Sequence, residues 1–185
     1  MKKVLLLIAL VILTGCTGKA SEMDRCMALR ARLLACESYS FDADITADYG
    51  DELQSFSLRC QGKSDGTLGF LVLQPEGISG ITGRFAAGRG ELTFDDVAVF
   101  FPPLADEQVS PVSGPWVMMK ALLGGYLTSC TMEEDLLRLT IDDSYEDDAL
   151  QLDIWLDEED RPVRAEIIYD ERRILTMDLE SFDIV

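Results

Sequence analysis

Residues 39–60 read YSFDADITADYGDELQSFSLRC. Tyr39, Phe41, Ala43, Ile45, Ala47 and Tyr49 alternate with Ser40, Asp42, Asp44, Thr46 and Asp48. A period of two marks a strand with one apolar and one wet face. Gly50-Asp51 suits a two-residue hairpin loop, with glycine at the first central position of a type II′ turn. That loop pairs Tyr49 with Glu52, and counting outward pairs Ile45 with Phe56, Ala43 with Leu58 and Phe41 with Cys60. The two apolar faces coincide in this register, whereas a one-residue slip would place them on opposite sides.

The same alternation recurs along the chain. Residues 67–73 form a strand that stops before Pro75, and 78–86 form another, with Gly80 and Gly83 permitting strong bending or close backbone approach. Residues 90–101 hold one or two more around a turn at Asp95-Asp96, and Pro102-Pro103 ends that stretch. Residues 105–115 read as a polar loop with two prolines. Residues 136–141 are a further strand, followed by an acidic turn over 142–148. Leu150, Leu152, Ile154 and Leu156, then Val163, Ala165, Ile167 and Tyr169, then Leu175, Met177 and Leu179 form three alternating runs joined by tight turns, an antiparallel meander.

Two segments change period. Ser21 is a good N-cap with Asp24 three residues on, and Cys26, Leu29, Leu33 and Cys36 recur at helical spacing, which predicts an amphipathic helix over about residues 22–36. Trp116, Val117, Met118, Met119, Leu122 and Leu123 form a second helix, ended by Gly124-Gly125 and charged only at Lys120. A helix so apolar must be covered by the core or must itself cover an apolar hollow. The fold class is α+β: a strongly curved antiparallel sheet, a half-barrel of about nine to eleven strands, with an N-terminal helix and a mid-chain lid helix.

The 185 residues include 34 acidic and 16 basic side chains, a net charge of −18. Nucleic acid needs a basic footprint that this chain lacks, and so does adhesion to anionic lipid through the protein surface. Histidine is absent, which removes Ser-His-Asp and Cys-His nucleophiles and histidine-bearing zinc sites. Cys26, Cys36, Cys60 and Cys130 are spaced too loosely for a cysteine-only zinc site. The acidic run 142–148 lacks the glycine and ligand spacing of a calcium loop. No enzyme activity, metal or cofactor is expected.

At the N-terminus, Lys2 and Lys3 precede an apolar run from Val4 to Leu13, too short for the roughly 20 residues of a bilayer-spanning helix. Leu13-Thr14-Gly15-Cys16 follows. The segment resembles a bacterial lipoprotein signal in which these four residues are the lipobox. The resemblance implies that Cys16 carries a diacylglyceryl lipid (palmitate among its acyl chains) and becomes the mature N-terminus. Residues 1–15 are then the signal peptide, 16–20 a tether and 21–185 a single domain.

The order of elements resembles the LolA/LolB-type lipoprotein carrier fold. The matching pieces are the helix from Cys26 to Cys36, the strands from Tyr39 to Phe101, the helix from Pro115-Trp116 to Gly125, and the run from Leu136 to Val185. Asp160-Arg161-Pro162-Val163-Arg164-Ala165-Glu166-Ile167, with Leu175 and Phe182, has the look of that family's last hairpin. Among relatives, the chain is similar to clostridial sporulation and germination lipoproteins of the GerS type, which implies binding of a cell-wall amidase.

Three groups of residues are candidate sites. The first is the lipid attachment at Cys16. The second is the four remaining cysteines, which fit two disulfides or four buried thiols. Cys26 and Cys36 lie about 15 Å apart along one helix, beyond the roughly 7 Å a disulfide spans. Cys60 lies opposite Phe41, so the pairing expected is Cys36–Cys60 and, by elimination, Cys26–Cys130. The third is an apolar concave surface of Phe41, Ile45, Phe56, Leu58, Phe70, Val72, Trp116, Met118, Met119 and Leu122, which fits either a ligand pocket or a filled core. The expected function is a lipid-anchored, extracytoplasmic envelope protein that holds a lipid or acyl chain in its concave sheet. The alternative is a non-enzymatic scaffold with a cell-envelope protein partner such as an amidase.

Overall fold

The computed structural model of the chain describes residues 21–50, 52–94, 97–101, 104–105, 108–146 and 149–185. Cys16, with the signal and tether, lies outside the described residues. So do Asp51, the turn at Asp95-Asp96, Pro102-Pro103 and the end of the acidic run at Asp147-Asp148.

Helix α1 (Glu22–Ala35) starts at the expected cap. The Ser21 hydroxyl accepts from Asp24 N at 3.2 Å while the Asp24 carboxylate accepts from Ser21 N at 3.1 Å, so two donors at the helix start are satisfied reciprocally. Cys26, Leu29 and Leu33 form its buried face.

Strands β1 (Tyr39–Asp48) and β2 (Leu53–Gly62) form the hairpin in the expected register, with Ile45 opposite Phe56, Ala43 opposite Leu58 and Phe41 opposite Cys60. Tyr49 N donates to Glu52 O at 3.1 Å across the loop. Strands β3 (Leu68–Gln74), β4 (Thr82–Ala86), β5 (Arg89–Phe94) and β6 (Val97–Phe101) add outward from β2. Strand β13 (Arg172–Ile184) pairs with the free side of β1. Beyond it lie β12 (Pro162–Tyr169), β11 (Gln151–Leu156), β10 (Leu136–Asp142) and β9 (Tyr126–Glu133). The result is one antiparallel sheet of eleven described strands, curved and not closed, with β6 and β9 as its edges.

Three segments depart from the sequence expectation. Residues 78–86 are not one strand: a 3₁₀ turn (Glu76–Ile78) comes first. Gly80, at φ +92°, then folds the chain back so that Gly80 N donates to Val72 O and Val72 N to Ile81 O. Residues 105–115 are not a plain loop. Strands β7 (Leu104–Ala105) and β8 (Gln108–Val109) form a short ribbon, and a 3₁₀ turn (Pro111–Ser113) follows. The ribbon is fastened to the sheet by Tyr49 Oη donating to Val109 O at 2.8 Å, and Val109 is fully buried. Finally, β9 has no alternating apolar face because it is a largely exposed edge strand.

Helix α2 (Gly114–Gly124) begins two residues before Trp116, on Gly114-Pro115, where proline's fixed φ and missing N–H suit a first helical turn. It lies across the concave side. A β-carbon on Gly114 would meet Met177 and Leu175 of β13 at 3.2 and 3.3 Å, and one on Gly125 would meet Ile141 of β10. The C-terminal end of the helix therefore needs glycine to seat on the sheet, and the N-terminal end is a tight fit against side chains. The concave residues of the sheet, the inner face of α1 and α2 form one buried apolar cluster.

Candidate functional site

The concave face and α2 bring together the residues expected to line an apolar hollow. Phe41 and Ile45 come from β1, Leu58 from β2, and Phe70 and Val72 from β3, with Met118, Met119 and Leu122 from α2. These eight are at most 4% exposed. Phe56 and Trp116 are partly buried and pack against the same cluster. Alternation along a strand places side chains on one face, and the register of β1 and β2 brings the faces of neighbouring strands together. Any void that admits water exposes the atoms that line it, so exposure this low describes a hollow filled by its own side chains, with α2 seated in it.

The helix is held by two kinds of contact. Apolar packing comes from Val117, Met118, Met119, Ala121 and Leu122, all buried. Polar ties sit towards its ends. Trp116 Nε1 donates to Gly66 O, in the β2–β3 turn, at 3.0 Å. The Trp116 ring stacks on Phe85 at 5.5 Å between centroids, and Phe85 in turn meets Phe70 at 5.7 Å. At the other end, Arg30 of α1 donates through Nε to Leu122 O at 2.7 Å and through Nη2 to Ala121 O at 3.2 Å. The Ala121 carbonyl also accepts from Gly125 N at 2.8 Å, Leu122 O lies in the last turn, where carbonyls lack an intrahelical donor, and a cation there complements the helix dipole. Lys120 lies 5.8 Å from the Trp116 ring centre and 3.9 Å from Asp143.

The four cysteines are thiols in this structure. Cys26 of α1 and Cys130 of β9 have sulfurs 2.6 Å apart. Cys36 donates to Leu33 O at 3.1 Å, and Cys60 is fully buried on the concave face. Burial, then the neighbouring Cys130, pushes the Cys26 thiol well above its ordinary pKa, and burial, then the charge of Asp42, does the same at Cys60. Neither is poised as a nucleophile at neutral pH.

The outer face holds a group that alternation alone does not announce. Across β10, β11 and β12 the register sets Arg138, Trp155 and Arg164 side by side. Both guanidinium carbons lie 5.4 Å from the Trp155 ring centre. Asp153, on the wet side of β11, is only 2% exposed because Arg138 Nη2 and Thr140 Oγ1 donate to it at 2.6 and 2.7 Å. Glu166 accepts from Arg164 and Arg173 at 2.6 and 3.0 Å. A surface cleft of about 420 Å³ opens over this group. Among the described residues, no three His, Cys, Asp or Glu side chains converge on a point that would hold a metal ion. Nor is any described helix long and apolar enough to cross a membrane.

No protein-family model matches the chain. No curated protein matches it either. Several solved structures are similar in the course of the chain. One is a LolA superfamily protein from Nitrosomonas europaea, 7% identical, covering 86% of this chain and 93% of that one with a TM-score of 0.46. Another is a putative outer membrane lipoprotein-sorting protein domain from Vibrio parahaemolyticus, 8% identical, covering 88% and 91% with a TM-score of 0.48. A third is the lipoprotein LppX from Mycobacterium tuberculosis, 11% identical, covering 87% and 92% with a TM-score of 0.42.

Proposed function

We propose that this chain is a non-enzymatic, lipid-anchored protein of the bacterial cell envelope that takes an acyl chain between α2 and the concave face of its sheet. Cys16 is the anchor, and the lipobox is its support. The ligand half of the proposal is carried by α2, a helix that buries apolar side chains over most of its surface and whose polar ties lie near its ends. Such an element can leave its seat without stranding buried polar groups along its length.

The apolar part of the exchange is nearly level, before the Arg30 and Trp116 ties are counted. Uncovering Val117, Met118, Met119 and Leu122 costs about 6–12 kcal/mol at about 1.5–3 kcal/mol each, and a saturated chain of about fifteen methylenes recovers about 12 kcal/mol at about 0.8 kcal/mol each. Methionine at the contact suits repacking, since its unbranched side chain adapts to irregular neighbours. The test is to denature the protein, strip it of lipid, refold it and titrate it with a fluorescent fatty acid. Saturable uptake at one site per chain is expected, and no uptake by correctly refolded protein contradicts the proposal.

A second function, a scaffold for a cell-wall enzyme such as an amidase, is favoured by the outer-face group. Trp and Arg dominate the energetics of protein interfaces, and Trp155 stands between Arg138 and Arg164 above an open cleft. Under this function Trp155→Ala abolishes capture of a purified amidase by the tethered protein and leaves fatty-acid uptake unchanged. Equal capture by the variant and the parent contradicts it.

A further inference from the structure

We propose that Cys26 and Cys130 become a disulfide in the exported protein, while Cys36 and Cys60 remain thiols, so that a single covalent staple fixes α1 to the open edge of the sheet. The placement is specific. Cys26 lies on the buried face of α1, and Cys130 lies opposite Leu139 on β9, the last strand of the sheet. Their sulfurs are 2.6 Å apart, against about 2.05 Å in a formed bond.

The frame that brings them together does not depend on sulfur. Arg25, beside Cys26, donates to Asp160 Oδ1 at 2.7 Å and to Asp157 O at 3.1 Å, both in the β11–β12 turn. Its Nη1 also reaches Met132 Sδ at 3.7 Å, two residues from Cys130 on the same strand. The helix is thus aligned beside β9 by an arginine clamp, and the thiols meet as a consequence. Cys36 and Cys60 have no such frame: Cys36 turns back to Leu33 O, and Cys60 is enclosed in the concave core.

A staple has a purpose at this place. Strand β9 pairs on one side with β10 and is the edge of an open sheet. An edge strand left open is a template for unwanted pairing. The crosslink joins residues 104 positions apart, tying the first element of the domain to the strand farthest from β1 in the C-terminal half. If α2 is the lid of an acyl-binding hollow, as proposed above, the staple also secures the lid's brace, because Arg30 on the same helix holds the α2 carbonyls.

The oxidant is a disulfide, either a small molecule such as oxidised glutathione or an envelope thiol–disulfide oxidoreductase. Cys130, the more exposed of the two, attacks it as the thiolate. One oxidant sulfur leaves as a thiol and a mixed disulfide forms. Cys26 then attacks the Cys130 sulfur, passing its proton to the departing oxidant sulfur, so that no standing Cys26 thiolate is required and the second oxidant sulfur leaves as a thiol. The two thiol protons and two electrons of the protein end on the two reduced oxidant thiols.

The experiment incubates the full chain with oxidised glutathione. Free thiols are then alkylated in denaturant without reduction, and the digest is read by mass spectrometry. A cross-linked pair of peptides carrying Cys26 and Cys130 is expected, with Cys36 and Cys60 alkylated. Alkylation at all four positions, or Cys36 or Cys60 in the cross-linked pair, overturns the proposal. Reduction is expected to lower the melting temperature of the parent by about 10 °C and to leave that of Cys26→Ser unmoved. A parent that melts alike in both redox states overturns the stapling role. Both readouts are independent of fatty-acid uptake, so failure of the ligand proposal leaves them interpretable.

Discussion

Arg30→Ala separates the lid from the rest of the fold. Arg30 is a partly buried residue on α1 that makes two hydrogen bonds to the last turn of α2, at 2.7 and 3.2 Å. Bonds to a charged donor contribute about 1.5–3 kcal/mol, and as a single two-pronged clamp the pair is worth about 2 kcal/mol. Alanine also leaves the Leu122 carbonyl without the side chain that satisfies it, whereas Ala121 O keeps its bond from Gly125 N. If α2 opens as a unit, its opening constant rises about 30-fold for about 2 kcal/mol. Hydrogen exchange at the amides of residues 118–123 reads this directly, with rates expected to rise by about that factor while amides of β1 and β13 stay slow under the same conditions. Arg30→Lys, which keeps one charged donor, should fall between parent and alanine. If α2 and β1 gain exchange together and by the same factor, the helix is part of the global cooperative unit and not a separable lid, and the reasoning fails.

Other positions give independent tests. Gly83→Ala places a β-carbon in collision with the edge of the Phe70 ring and 2.9 Å from Glu91 O, so a destabilisation of about 1–3 kcal/mol is expected in denaturant titration; an unchanged midpoint would mean that β3 and β4 are less closely packed. Tyr39 is 1% exposed, its hydroxyl has no partner among the described residues, and burial raises its phenol pKa. Tyr39→Phe should therefore hold or raise stability by about 1 kcal/mol, and a clear loss would reveal a partner for that oxygen. At Asp157, burial pushes the carboxyl up, but bonds from Arg161 N, the Arg161 side chain and Glu159 N outweigh it, so its pKa falls below the ordinary carboxylate value. Its contribution is then present above the unfolded pKa of about 3.9 and lost as pH falls through the lower folded value. Asp157→Asn should be less stable than the parent at pH 7, with the gap closing below about pH 4; a gap that persists or widens in acid contradicts the assignment.

The hairpin of residues 39–60 was legible residue by residue, because one apolar face and a two-residue loop leave a single register in which the faces coincide. The capping box at Ser21 and Asp24 and the meander of β11 to β13 were legible for the same reason: each is fixed by local spacing. Strand β9 was hidden because an exposed edge buries no face and so writes no alternation. Residues 105–115 carry no strand pattern because the ribbon is only two residues per strand and its anchor, Tyr49 to Val109, spans 60 positions. The ten concave residues share one apolar pattern in the sequence, yet whether they line a space or fill it depends on how α2 seats at Gly114 and Gly125, a matter of three-dimensional fit. The group of Arg138, Trp155, Arg164 and Asp153 required the register of three strands at once. The alignment of Cys26 with Cys130 depends on Arg25 and the β11–β12 turn, which no spacing rule supplies.

Methyl resonances of methionine report whether α2 gives up its seat to an acyl chain. Met118, Met119 and Met177 are buried where helix and sheet meet, whereas Met23, Met27 and Met132 are 46–49% exposed. Titrating palmitate into protein labelled at the methionine methyls should shift the first three in a saturable way and leave the second three in place. Unmoved Met118 and Met119 signals at saturating palmitate, or shifts confined to Met23, Met27 and Met132, would contradict the claim.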